Sequence, residues 1–173
     1  MKKLFLTLGF LGMMHLGFAQ EITLEKIYSG YYRGKNIAGI ASLKNGENYA
    51  VIERGGIAKY SYKTTEKVGN IVDGSFESYI FSDDESKILL QKESEPIYRH
   101  SFLGKFDVKD LTSGKIISLN NGNFVQEPKF SPNGKLVAFI SDNNLFYQDL
   151  ESGKITQITA DGKKNSVING LGD

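Results

Sequence analysis

From residue 37 onward, short apolar runs recur between polar turns. The near-continuous ones are Tyr49 to Ile52, Ile88-Leu89-Leu90 and Leu136 to Ile140. Runs of this length bounded by turn residues predict strands buried on both faces. Each follows a polar turn: Leu43-Lys44-Asn45-Gly46-Glu47, then Phe81-Ser82-Asp83-Asp84-Glu85-Ser86-Lys87, then Phe130-Ser131-Pro132-Asn133-Gly134-Lys135. Pro fixes φ in such a turn and Gly supplies a positive φ. An alternating strand comes next and closes into a fourth through a second repeated turn. That turn is Asp107-Val108-Lys109-Asp110-Leu111-Thr112-Ser113-Gly114-Lys115 in one copy and Tyr147-Gln148-Asp149-Leu150-Glu151-Ser152-Gly153-Lys154 in another. A weaker copy runs from Tyr60 to Lys67.

Four short antiparallel strands per unit, at a period of about forty residues, predict propeller blades. The fold class is therefore all-β, a partial β-propeller of about three four-stranded blades, over 37–72, 76–119 and 125–158. A β-sandwich of evenly spaced strands is the alternative; turns repeated at matching places favour the propeller. Helix is expected only over Thr23 to Ser29, stopped by Gly30. Three blades do not close a ring, so open blade edges should make the 20–173 piece sticky.

The amino terminus carries a different pattern. Lys2 and Lys3 precede an apolar stretch from Leu4 to Leu16, and Gly17-Phe18-Ala19 reads as a small-x-small cleavage site. The expectation is a signal peptide over 1–19, a lead-in over 20–36 and the partial propeller over 37–173. The apolar stretch is too short to span a bilayer comfortably, so no stable membrane span should remain after cleavage. Without Lys2 and Lys3 there are 19 basic and 20 acidic side chains, with no run of like charge. Nothing in that balance suggests nucleic acid or an anionic membrane as a partner. The absence of cysteine excludes disulfides and thiolate metal sites, and export without disulfides fits a bacterial periplasm or secretion by a bacterium.

Candidate chemistry is sparse. Asp83-Asp84-Glu85 could suggest a metal site, but the repeat explains it as a turn, as it does Asp161-Gly162-Lys163-Lys164. Gly55-Gly56 has no following helix and cannot cradle a phosphate, so no metal or cofactor is expected. No Gly-x-Ser-x-Gly occurs, and the histidines are His15 and His100. The one irregularity in the repeat lies between the second and third strands of the second blade. The first blade uses Arg54-Gly55-Gly56 there and the third uses Ser141 to Asn144, whereas the second inserts Lys92 to Phe102. Loops on rigid scaffolds often carry function. Within this insertion Arg99 stands out, because a guanidinium offers paired donors to a carbonyl or carboxylate; the alternative is a surface Arg paired with Glu93 or Glu95.

The segment Ile97-Tyr98-Arg99-His100-Ser101-Phe102, with Phe106 to Leu111 after it, resembles the propeller domain of the dipeptidyl peptidase IV family. So do Phe130 to Lys135 with Asp142 to Tyr147, the ending from Ile158-Thr159-Ala160-Asp161-Gly162 to Asn169-Gly170, and the lead-in Thr23 to Ile27. The resemblance implies an exported serine exopeptidase that removes X-Pro or X-Ala dipeptides from peptides with a free amino terminus. It implies an eight-bladed propeller joined to an α/β-hydrolase domain that this sequence does not contain, and homodimeric full-length relatives. It also implies that Arg99 binds the substrate's backbone carbonyl, while His100 is a structural residue of the insertion. The family's paired glutamates, and the Ser, Asp and His of its triad, have no counterparts here, so the chain alone is expected to be inactive. A fragment of a prolyl tripeptidyl peptidase and a non-catalytic envelope binding module are the alternatives.

Overall fold

The computed structural model describes residues 22–34 and 39–171. They belong to two units, Met1–Asn36 and Ile37–Asp173. The expected signal peptide, 1–19, lies outside the described residues.

In the first unit, helix α1 (Leu24–Tyr28) forms where the sequence suggested one, but is shorter than the Thr23 to Ser29 span. Thr23 is extended and its hydroxyl accepts the Lys26 N–H at 3.3 Å, satisfying one of the amides that a helix start leaves orphaned. Gly30, at φ 74°, ends the turn.

The second unit consists of three four-stranded antiparallel sheets. The first contains β1 (Ala41–Ser42), β2 (Asn48–Glu53), β3 (Gly56–Ser61) and β4 (Lys67–Asp73). The second contains β5 (Ser78–Phe81), β6 (Lys87–Tyr98), β7 (Ser101–Asp110) and β8 (Ile116–Ser118). The third contains β9 (Gln126–Phe130), β10 (Leu136–Ser141), β11 (Asn144–Asp149) and β12 (Ile155–Gln157). Within each sheet the spatial order follows the chain, which is the up-and-down order of a propeller blade.

The apolar run of β6 is continuous because both of its faces are buried. In β6, Ile88 and Leu90 pack toward the first blade with Ala50, Ile57 and Val72. Leu89, between them, packs the other way with Val137 and Phe139 of the third blade. One strand thus supplies both inter-blade cores, as the side-chain alternation of a strand requires. Gln148, buried at 2% exposure, joins the second and third blades by polar contacts. Its Oε1 accepts the Asn120 N–H at 2.9 Å and its Nε2 donates to the Ser118 carbonyl at 3.4 Å.

The repeated turns share one hydrogen-bonding plan. Between the first and second strands, Gly46, Glu85 and Gly134 take positive φ, and their N–H groups donate to Leu43, Ser82 and Ser131. Between the third and fourth strands, Asp110 accepts the Thr112 and Ser113 N–H groups, and Asp149 accepts those of Glu151 and Ser152. The left-handed position of these turns is Gly114 at φ 75° and Gly153 at φ 76°. In the first blade Ser61 caps instead of Asp, and the left-handed position is Thr65 at φ 57°. A β-branched residue is strained there, where Gly is not. Thr65→Gly is therefore expected to raise the urea midpoint of the chain, corresponding to ~0.5–1 kcal/mol. The same change at Thr64, a turn residue without a positive φ, should lower it.

The caps also make stability depend on pH. Asp84 accepts the Ser82 hydroxyl and the Ser86 N–H and hydroxyl, which pushes its pKa down to about 2. Asp110 and Asp149 are lowered chiefly by the N–H groups of Ser113 and Ser152, then by their hydroxyls. A carboxylate whose pKa is depressed by folding stabilises the fold above its unfolded pKa, about 4, and that contribution is lost as pH falls through the folded value. The urea midpoint should thus decline between about pH 4 and pH 2. Asp84→Asn, which keeps an acceptor but cannot titrate, should decline less steeply over the same range.

Candidate functional site

The insertion singled out in the second blade is not an irregular loop. It continues the sheet: β6 has 12 residues and β7 has 10, against 6 in each of β2, β3, β10 and β11. Beyond the blade, Glu93 pairs with Lys105, Ser94 with Gly104, Glu95 with Leu103 and Pro96 with Phe102, and Tyr98 lies opposite Ser101. Register shifts at Gln91/Glu93 and Pro96/Tyr98 mark two bulges, which bend and twist a ribbon.

The ribbon is anchored at its base. Gln91, 5% exposed, accepts the Ser78 hydroxyl and donates to Glu77 at 3.0 Å. Lys92 pairs with Asp107 at 2.7 Å and Lys105 with Glu93 at 2.9 Å. Gly104 exchanges two backbone hydrogen bonds with the fully buried Val125, at 2.8 and 2.9 Å, tying the ribbon to the segment entering the third blade. A Cβ at Gly104 would lie 2.5 Å from the Phe106 ring. Sequence reasoning had not picked out Gly104 or Val125. The available signal was a lone Gly between aromatics in a strand pattern, which marks a close approach.

At the far end Arg99 and His100 form the turn, and Ile97, Tyr98, Arg99 and His100 are all exposed. Arg99 holds φ 37°, a left-handed conformation uncommon outside Gly and Asn. Its guanidinium carbon lies 5.4 Å from the Tyr98 ring centroid. The alternative pairing with Glu93 or Glu95 is not made: Glu93 pairs with Lys105, and among the described residues Arg99 has no ion pair. His100, expected to serve structurally, is an exposed turn residue. Asp84, from the acidic triplet, caps its turn through Ser82 and Ser86.

Beside the outer part of the ribbon, where Ser101 and Phe102 lie, is an open cavity of about 400 Å³, lined also by Gln126, Glu127, Phe139 and Leu171 among others. Its lining mixes polar residues such as Gln126 and Glu127 with apolar ones such as Phe102 and Phe139. Glu127 holds φ 48° at the bulge of β9. The segment after β12 folds back over the β10–β11 turn through the Gly162 N–H on Asn144 and the Asn169 N–H on Asn143.

Successive four-stranded antiparallel sheets, packed face on face with β6 of the second contributing to both cores, define this body as part of a β-propeller with a ribbon projecting from its second blade. The family model for the dipeptidyl peptidase IV (DPP IV) N-terminal region matches residues 82–173, and the chain belongs to this family. The chain is 31% identical over 172 residues to the probable dipeptidyl-aminopeptidase B of Phaeosphaeria nodorum, covering 84% of this chain and 19% of that protein. It is 31% identical over 173 residues to the dipeptidyl-aminopeptidase B of Aspergillus niger, covering 83% of this chain and 19% of that one. The crystal structure of Porphyromonas gingivalis dipeptidyl peptidase 4 superposes with a TM-score of 0.80 at 30% identity, over 89% of this chain and 24% of that one. The chain thus spans about a fifth of the length of the curated relatives it matches.

Proposed function

We propose that this chain supplies amino-terminal propeller blades to an exported dipeptidyl peptidase IV-type serine exopeptidase, and that its ribbon presents Arg99 to the peptide substrate. The observation that carries this reading is the ribbon itself. It is a β-extension braced by Lys92–Asp107, Lys105–Glu93 and Gly104–Val125, and it ends in an exposed arginine free of carboxylate partners among the described residues. A side chain held on a braced strand pair loses less entropy on binding than one on a loose loop. The guanidinium donates to the backbone carbonyl of a peptide with a free amino terminus, positioning an X-Pro or X-Ala dipeptide for cleavage by groups outside this chain. Lys2, Lys3, the apolar stretch Leu4 to Leu16 and the Ala19 boundary support export.

The test is a chimera in which residues 39–171 replace the matching stretch of the Porphyromonas gingivalis enzyme. It should hydrolyse a Gly-Pro chromogenic substrate, whereas the purified chain alone should not. Arg99→Ala in the chimera should lower kcat/KM by ~10–100-fold, the loss of one charge-assisted hydrogen bond, with Tm unchanged. An unaltered kcat/KM would remove Arg99 from the substrate site.

A further inference from the structure

The chain contains four Asn-Gly pairs: Asn45-Gly46, Asn121-Gly122, Asn133-Gly134 and Asn169-Gly170. In such a pair the Gly nitrogen can attack the Asn side-chain carbonyl carbon, since Gly has no Cβ to obstruct the approach. Three of the four side chains are held by partners. The Asn45 oxygen accepts the Glu47 and Asn48 N–H groups at 3.0 and 3.1 Å. The Asn133 oxygen accepts the Ser131 hydroxyl at 2.7 Å and the Lys135 N–H at 3.1 Å. The Asn169 amide donates to Asp161 at 3.0 Å and to the Asn143 carbonyl at 3.3 Å. The Gly46 and Gly134 N–H groups are themselves engaged, by the Leu43 and Ser131 carbonyls.

Asn121 differs. It is exposed, and its side chain has no hydrogen bond among the described residues. It stands in a left-handed run, with Asn120 at φ 49°, Asn121 at φ 55° and Gly122 at φ 83°. Asn tolerates that conformation better than other non-glycine residues, so the run persists without holding the Asn121 side chain in place. We infer that Asn121 is a spontaneous modification site, at which the native fold permits deamidation while protecting the other three Asn-Gly pairs.

The Gly122 nitrogen forms a bond to the Asn121 side-chain carbon. The bond from that carbon to the amide nitrogen breaks, and ammonia leaves carrying the Gly122 amide proton. Water then opens the cyclic imide at either carbonyl, giving an aspartyl or an isoaspartyl link. The isoaspartyl link adds a methylene to the main chain between two fixed points, the Asn120–Gln148 and Val125–Gly104 hydrogen bonds. Deamidation therefore acts on the joint between the second and third blades, where Gln148, Val125 and Leu119 are buried.

The experiment is peptide mapping by mass spectrometry of the full chain aged at pH 8, native and in denaturant, with isoaspartate counted at each pair. In denaturant the four pairs should react at comparable rates. In the native chain residue 121 should react at least ~10-fold faster than residues 45, 133 and 169, a barrier difference of ~1.4 kcal/mol. Gly122→Ala should slow it without affecting the others. The isoaspartyl fraction should exchange amide hydrogens faster over 118–125, and Asn121→Asp, which adds charge without the methylene, should not. Equal native rates at the four pairs, or a faster reaction at residue 45 or 133, would overturn the inference.

Discussion

Leu89→Ala is expected to destabilise the body by ~3–4 kcal/mol and to lower its Tm by roughly 10 °C. Leu89 is fully buried, within a cluster that includes Val108, Leu119, Val125, Val137 and Phe139. These residues come from two blades and from the connection between them, so a cavity here cannot be closed by one sheet relaxing alone. The removed methylenes lose their transfer free energy, and the cavity adds lost dispersion contacts. Against a net stability of ~5–15 kcal/mol this is a large share. Ile80→Ala is the control, since Ile80 is 46% exposed and its loss should cost well under ~1 kcal/mol. Urea denaturation of the three proteins decides the matter. A Leu89→Ala midpoint close to that of Ile80→Ala would mean the second and third blades do not share a core.

Gly56→Ala should be comparably severe, for a reason of backbone rather than volume. Gly56 opens β3 opposite Asp73 of β4, at φ 155°. A Cβ there would stand 2.2 Å from the Val72 carbonyl oxygen and 3.1 Å from the Asp73 Cα. Both are backbone atoms of a paired strand, so no rotamer change relieves the clash and β4 must move outward. The expected cost is ~3–4 kcal/mol, combining overpacking with an unfavourable φ. Gly55→Ala separates the two contributions. Gly55 has φ 106° but open space around its Cβ position, so that variant should lose only the conformational part, ~1–2 kcal/mol. Equal midpoints for the two variants would contradict the close approach of β3 and β4.

The blades were legible in the sequence because their strands carry both signals that local reasoning uses. Ile88-Leu89-Leu90 and Leu136 to Ile140 are apolar without interruption; the structure buries the first run from both sides and packs Val137 and Phe139 of the second into the same core as Leu89. The turns repeat because one hydrogen-bonding plan recurs: Ser82 and Ser131 stand at the same place, and so do Asp110 and Asp149. The ribbon was harder to read. Lys92 to Pro96 has no apolar alternation, since a two-stranded extension in water has no core to face, and its stability comes from cross-strand ion pairs and backbone bonding. Pro96 interrupts any strand pattern there, although a strand edge tolerates a residue without an N–H. The return of the chain over the β10–β11 turn was invisible for another reason: it rests on side-chain contacts such as Gly162 to Asn144, formed between residues distant in sequence. Arg99 stood out by its chemistry within the insertion, but the choice between a substrate contact and a surface pair with Glu93 or Glu95 leaned on the family resemblance. Side-chain pairing across the ribbon, such as Lys105 with Glu93, is not written in the local sequence.

The central claim is that the ribbon carries Arg99 to a bound peptide. It is tested most directly by a crystal structure of the chimera holding a slowly cleaved X-Pro peptide. The account predicts an Arg99 guanidinium nitrogen within hydrogen-bonding distance, ~2.7–3.2 Å, of a backbone carbonyl of the peptide's first two residues. A peptide bound with Arg99 directed into solvent, and no contact from the ribbon, would contradict it.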